Sequence, residues 1–197
     1  DVPYQFFKEL AQEVNMPMAV FKYPGEAGLS YSTETLARMA EDIDQVVAMK
    51  ATCYTCADYY QLWTSLKGKL SIFVTAGDTV DMLGQMMIGS DGAQAGIMAI
   101  GRQNWSHFIS LSLDGKYTEA RNIYMEKLAP IANHIYGAPL RAPHSGRTGG
   151  TTALIKEALV AMGTFSSARV RLPDLDATVE EREGIRGLLK RLQLLPE

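Results

Sequence analysis

Apolar residues recur at helical spacing from the first positions of the chain: Phe6, Phe7, Leu10, Ala11 and Val14 line one side of a helix that opens at Pro3. Asn15 and Pro17 stop it. The period then changes, and Met18 to Phe21 reads as a short buried strand closed by the turn Lys22-Tyr23-Pro24-Gly25. Thr33 opens a second helix through Met39, with Leu36, Ala37 and Ala40 on its apolar side. Val46, Val47, Ala48 and Met49 form a continuous apolar run, the pattern of a strand buried on both faces, with Lys50 at its end. Tyr59 to Leu66 is predicted helical, Leu70 to Thr75 a strand with Gly77-Asp78 as its loop, Val80 to Ile88 helical, Ala93 to Ile97 a strand and Asn104 to Leu113 helical. Strand and helix alternate with short links, which calls for parallel strands joined by crossover helices, an α/β fold.

After Asp114-Gly115 the alternation stops. Thr118 to Tyr136, Thr152 to Met162 and Val179 to Leu192 read as helices with no strand between them, separated by a Gly/Pro/Ser-rich loop from Gly137 to Gly150 and by the turn Leu172-Pro173-Asp174. The expected division is an α/β part over 1–114 and a helical subdomain over 115–197. The α/β part has only four predicted strands, whereas a closed barrel needs about eight strand–helix units.

Candidate chemistry gathers at the end of the run through Met49. An amine at the carboxyl end of a parallel strand sits where α/β sheets bind ligands, and apolar surroundings strip hydration from its charged form. A neutral, nucleophilic amine then becomes available near neutral pH. A lysine that snorkels from the strand end into solvent is the alternative reading of the same residues.

Composition narrows the choices. With 197 residues, 47% apolar and 21% charged, the chain is an ordinary globular one, large enough for one core and an appendage. A formal charge of -3 gives no electrostatic case for nucleic acid or an anionic membrane. No apolar run approaches the roughly 18 residues of a bilayer span. Two cysteines make no disulfide scaffold, which favours a cytoplasmic setting. The opening Asp1-Val2-Pro3 runs straight into a helical pattern, as expected of a start inside a larger sequence.

Taken together, several segments resemble the dihydrodipicolinate synthase and N-acetylneuraminate lyase family of class I aldolases. They are FKYPGEAG from Phe21, VVAMK ending on Lys50, TAGD from Thr75, GSDGAQAG from Gly89, DGKYTEAR from Asp114, KEALVAMG from Lys156 and VRLPDLDATVEEREGIRGLL from Val170. None is specific alone, but they stand in family order over nearly the whole chain. The resemblance implies a TIM barrel with a C-terminal helical extension, usually tetrameric. This chain would supply the second half of the barrel, about four strands, plus a three-helix extension. The N-terminal half would come from the same or a second polypeptide.

The resemblance also assigns roles. Lys50 matches the residue that condenses with a 2-oxo acid, commonly pyruvate, to give an imine whose nitrogen serves as an electron sink. Phe21 falls where most members carry a proton-relaying tyrosine, and phenylalanine has no ionisable group. Tyr23, two residues along and on the same side of an extended strand, is a substitute if the turn tips it inward; packing beside proline is the other reading. Glu26 stands where the synthases hold a second carboxylate with an arginine, and the reversed charge argues against a dicarboxylic substrate. Thr52 and Gln94 are polar positions that the family directs at substrate, although Gln94 can equally face outward. Gly77 and Asp78 either contact the distal substrate chain or form a tight turn with an Asp N-cap. The family's carboxylate clamp and its cross-subunit tyrosine lie in regions this chain lacks.

Other signals weigh less. Cys53-Tyr54-Thr55-Cys56 is a Cys-x-x-Cys after a strand and before a helix, the context of a redox pair, but also that of small buried residues beside a lysine. One such pair offers too few ligands for a zinc site, and no nearby histidine adds to it. His107 and His134 lie in helical stretches. Arg141, His144 and Arg147 put positive charge into the Gly/Pro loop. No Gly-rich phosphate fingerprint follows a strand, and neither metal nor cofactor is implied. The expected function is a Schiff-base lyase or aldolase acting on a 2-oxo acid, without cofactor, as a homo-oligomer. The alternatives are a 2-keto-3-deoxy sugar acid dehydratase using the same imine, a non-catalytic barrel remnant or partner subunit, and a thiol redox protein.

Overall fold

A computed structural model describes residues 1–23, 30–75, 82–141 and 150–196, with backbone only at 137–141. Glu26, Gly77, Asp78, His144 and Arg147 lie outside the described residues, as does the side chain of Arg141. The chain forms two compact units. One holds the described chain from Asp1 through Ala95 together with Ser112–Lys116, and the other holds Gly96–Leu111 and the chain from Tyr117 on.

The first unit alternates as its period predicts: α1 (Val2–Glu13), β1 (Met18–Lys22), α2 (Thr33–Asp42), β2 (Val46–Ala51), α3 (Cys56–Leu66), β3 (Ser71–Val74), α4 (Met82–Ile88) and β4 (Gly92–Ala93). The strands form one parallel sheet in the order β1-β2-β3-β4. Helix starts are set locally. Asp1, Ser32 and Thr55 each accept a backbone N–H from the first turn of α1, α2 and α3, satisfying donors that have no partner inside the helix.

One face of the sheet is dry. Val20, Met49 and Ile72 stand side by side in register, each fully buried, and each contributes roughly 1.5–3 kcal/mol through its removal from water. The expectation that all of β2 is buried on both faces is corrected here. Val46, Met49 and Ala51 are buried, but Val47 is 45% exposed. The cause is a slip in the β1–β2 ladder: Met18 pairs with Val46 and Ala19 with Ala48, so Val47 is the extra residue of a bulge. The bulge resets the side-chain alternation. It lets Val46 and Met49, three apart, both be buried, and leaves Lys50 on the face opposite Met49.

The fourth predicted strand, Ala93 to Ile97, is also corrected. Only Gly92–Ala93 pairs with β3, and Gly96–Ala99 is a turn of 3-10 helix whose Ile97 is fully buried. Short apolar runs of this kind read alike as strand or helix. Gly92 has φ +156, and a Cβ there would lie 2.9 Å from the Phe73 ring, so both backbone and packing call for glycine.

The second unit takes α5 (Arg102–Leu113) as far as Leu111, with α6 (Tyr117–Ile123), α7 (Ala129–Arg141), α8 (Thr151–Ala161) and α9 (Val179–Arg191), as a helical layer. The expected single helix from Thr118 to Tyr136 is interrupted by a π-helical stretch, Tyr124–Leu128. The expected loop from Gly137 begins later, since α7 runs to Arg141. Trp105, Phe108 and Tyr124 form an aromatic core with centroids 5.1–6.5 Å apart. Thr178 and Glu181 close a reciprocal capping box at α9.

Candidate active site

Register builds the candidate site. Phe21 pairs with Lys50, Lys50 with Phe73, and Phe73 with Gly92, so these residues form one row across the sheet on the face opposite the Val20–Met49–Ile72 row. Lys50 is the penultimate residue of β2, at its carboxyl end. Its Nζ lies 4.1 Å from the centroid of the Phe21 ring, well within cation–π range. The side chain is half-buried, and none of the ion pairs among the described residues includes it. Burial among apolar neighbours pushes the ammonium below the ordinary lysine range, the direction that frees a neutral amine.

Tyr23 lies on the same side as Phe21, with ring centroids 5.7 Å apart. Thr52 is 2% exposed, and its N–H donates to the Lys22 carbonyl at 3.0 Å, extending the ladder past β2. Gln94 follows β4 rather than lying within a strand. Its N–H donates to the Val74 carbonyl at 2.8 Å, and its side chain is exposed. Phe21, Tyr23, Lys50 and Thr52 therefore gather where β1 and β2 end, while Gly77 and Asp78 lie outside the described residues.

Sequence reasoning passed over Phe73, Gly92 and Gln85. The register that puts Phe73 beside Lys50 is not local, although the positive-φ demand at Gly92 is hinted at by its Ser-Asp-Gly context. Gln85 is buried on α4 and donates from Nε2 to the Cys53 carbonyl at 3.2 Å, tying down the segment after β2. Cys53 is buried and Cys56 half-buried, and the two are not joined in a disulfide. Burial pushes the Cys53 thiol up; the Lys22 charge opposes this and the Asp58 charge adds to it. A thiol held protonated is a poor nucleophile, which weakens the redox reading.

Cavities lined by described residues lie elsewhere. One of about 250 Å³ is lined by Lys22, Tyr31, Cys53, Tyr54 and Asp58, among others. Another, of about 370 Å³ in the helical unit, is lined by Arg102, Lys127 and Gln193 among others, and one of about 440 Å³ runs along α1. Lys50 lines none of these; its row lies on the sheet face opposite the buried Val20–Met49–Ile72 row. No helix among the described residues is long and apolar enough to cross a membrane.

Comparison with known proteins shows the family and the fold. A 4-hydroxy-tetrahydrodipicolinate synthase of Shigella dysenteriae serotype 1 is 23% identical over 192 residues, which is 98% of this chain and 61% of that one. The chain thus spans about 61% of the length of the curated relatives it matches. Among solved structures, dihydrodipicolinate synthase from Thermotoga maritima superposes with a TM-score of 0.79 at 22% identity, covering 98% of this chain and 61% of that one. A prophage protein of the dihydrodipicolinic acid synthase family from E. coli K12, in complex with pyruvate, gives 0.78 at 18% identity, covering 97% and 61%. These likenesses show the fold, that of a TIM-barrel family member. The profile of the dihydrodipicolinate synthetase family matches residues 3–192, and the chain belongs to that family.

Proposed function

We propose that this protein is a Schiff-base lyase or aldolase acting on a 2-oxo acid of the pyruvate type, with Lys50 as nucleophile. The observation that carries the reading is the position of the Lys50 amine. It stands at the carboxyl end of a central parallel strand, on the face away from the packed helices, half-buried and without an ion-pair partner among the described residues. The neutral amine adds to the keto carbon, and water leaves as a proton is taken up. The nitrogen of the resulting iminium draws electrons from the adjacent carbon, which then loses a proton or a carbon substituent as the enamine forms. Tyr23 is the proton relay in this reading, reached past the Phe21 ring, while Phe21, Thr52, Gly77, Asp78 and Gln94 contact substrate. Support comes from relatives solved with pyruvate, among them the E. coli prophage protein and an Acinetobacter baumannii dihydrodipicolinate synthase.

The site is completed by a barrel half that this sequence does not contain. Residues 1–114 supply the C-terminal half of the β/α barrel and 115–197 the helical extension. The remaining strands come from the same polypeptide or a second one, and the assembly is a cytoplasmic homotetramer. Phe21 in place of a hydroxyl favours one second reading, dehydration of a 2-keto-3-deoxy sugar acid, since loss of water from the same imine tolerates a different relay.

Carbon NMR with pyruvate labelled at the keto carbon tests the proposal. Addition of the full-length protein converts part of the ketone signal to an imine or enamine signal, and Lys50→Arg abolishes it. A Lys50→Arg variant that still shifts the signal, or a wild type that never does, refutes it.

A further inference from the structure

We propose that Phe21 is the positioning residue of this site: the face of its ring seats the Lys50 nitrogen and stabilises it whenever that nitrogen carries positive charge. The inference rests on the function proposed above only where it concerns the iminium. Two observations carry it. The Lys50 Nζ lies 4.1 Å over the Phe21 ring, close enough for the negative face of the quadrupole to act on a cation. The two residues are also direct partners in the β1–β2 ladder, so the contact is held by backbone pairing rather than by two free side chains. Phe73 holds the corresponding place on the other side of Lys50, in register on β3.

No charged side chain among the described residues shares the register row of the amine. Ala48 lies two residues before it on the same strand, and Phe21 and Phe73 flank it in register; none is charged. Lys22, next to Phe21, belongs to the register row of Ala51 and Val74 instead.

Two opposed effects therefore act on one nitrogen. Burial disfavours the ammonium and supplies neutral amine for attack. The ring favours the cation. When the amine captures a keto carbonyl, a C–N bond forms, a proton is taken up and water departs, and the nitrogen becomes an iminium cation at the same place. The ring then stabilises the product of capture more than the neutral amine that attacks, which is differential binding in the catalytic direction. A tyrosine would offer the same ring face together with a hydroxyl. Phenylalanine keeps the electrostatic part alone.

The test is the pH midpoint at which Lys50 becomes acylated by acetic anhydride, read by peptide mass mapping on the full-length protein with no keto acid present. Phe21→Leu and Phe21→Met retain apolar cover without a ring. Each should lower the midpoint by about half to one and a half pH units, whereas Phe21→Tyr should leave it within a few tenths. With pyruvate below saturation, reductive trapping on Lys50 should fall roughly 2- to 30-fold in the Leu and Met variants. Two ringless variants are used so that one failing to fold does not end the test. Midpoints in the folded Leu or Met variant that coincide with the wild type overturn the proposal, as does a Tyr variant that drops as far as Leu. A shifted midpoint with no trapping in any variant supports the role of Phe21 and refutes the 2-oxo acid reading instead.

Discussion

Between Met18 and Ala19 the β1–β2 ladder slips by one residue, and that slip decides which face Lys50 occupies. Unbroken alternation would put Val46 on the same face as Lys50; the bulge at Val47 instead buries Val46 with Met49 and Ala51. Substitution should report this directly. Val47→Thr should change stability by no more than about 0.5 kcal/mol, as at other exposed positions, while Met49→Ala should cost about 2–5 kcal/mol through lost burial and a cavity. Urea denaturation of the two variants checks it, and a large loss at Val47 would contradict the bulge. The identity of Lys50 as the candidate nucleophile was legible in the sequence, because an apolar run ending on a single lysine is a local pattern. Its aromatic seat was not. Phe73 comes to Lys50 only through strand register, which no short window of sequence contains.

Elements with strong local signals could be read from the chain. The helices α1, α2 and α9 announce themselves by an N-capping residue followed by apolar positions at helical spacing. Thr178→Ala should remove half of the α9 capping box and cost about 1 kcal/mol, measurable as a lower Tm. Elements set by close packing could not be read. The segment after α4 turns at Gly89, where φ is +137 and a Cβ would lie 2.6 Å from the Trp63 ring. That ring is held in place beside Tyr59, whose hydroxyl donates to the Gly89 carbonyl at 2.7 Å. Gly89→Ala combines a disfavoured φ with overpacking, and should destabilise the first unit by roughly 2–4 kcal/mol in the same denaturation assay. The fourth strand failed as a prediction for a related reason. Ala93 to Ile97 is apolar enough for a strand, but after Ala93 the chain winds into a 3-10 turn that buries Ile97.

For the molecule as a whole, each unit carries its own pH and packing logic. In the helical unit His134 of α7 stands against Gly184 of α9, where a Cβ would come within 3.2 Å of the imidazole. Burial, joined by the Arg191 charge and opposed by Glu181, keeps the His134 pKa below the ordinary histidine range. The unfolded state therefore binds this proton more readily than the folded one. Stability should fall as pH drops below about 6.5 toward the folded-state pKa, then level off. His134→Gln should flatten that part of the Tm–pH curve relative to wild type, and identical curves would contradict the assignment. At the scale of the family, the alternation of strands and helices was enough to show the fold class, while the face that Lys50 occupies follows from strand pairing alone.

The central claim is that the Lys50 amine captures a 2-oxo acid. Incubating the full-length protein with pyruvate, reducing with borohydride and mapping the modified peptide by mass tests it most directly. The account predicts a reduced pyruvyl adduct on Lys50 that is absent without pyruvate. An unmodified Lys50, or an adduct spread over exposed lysines such as Lys67 and Lys69 with none on Lys50, would contradict it.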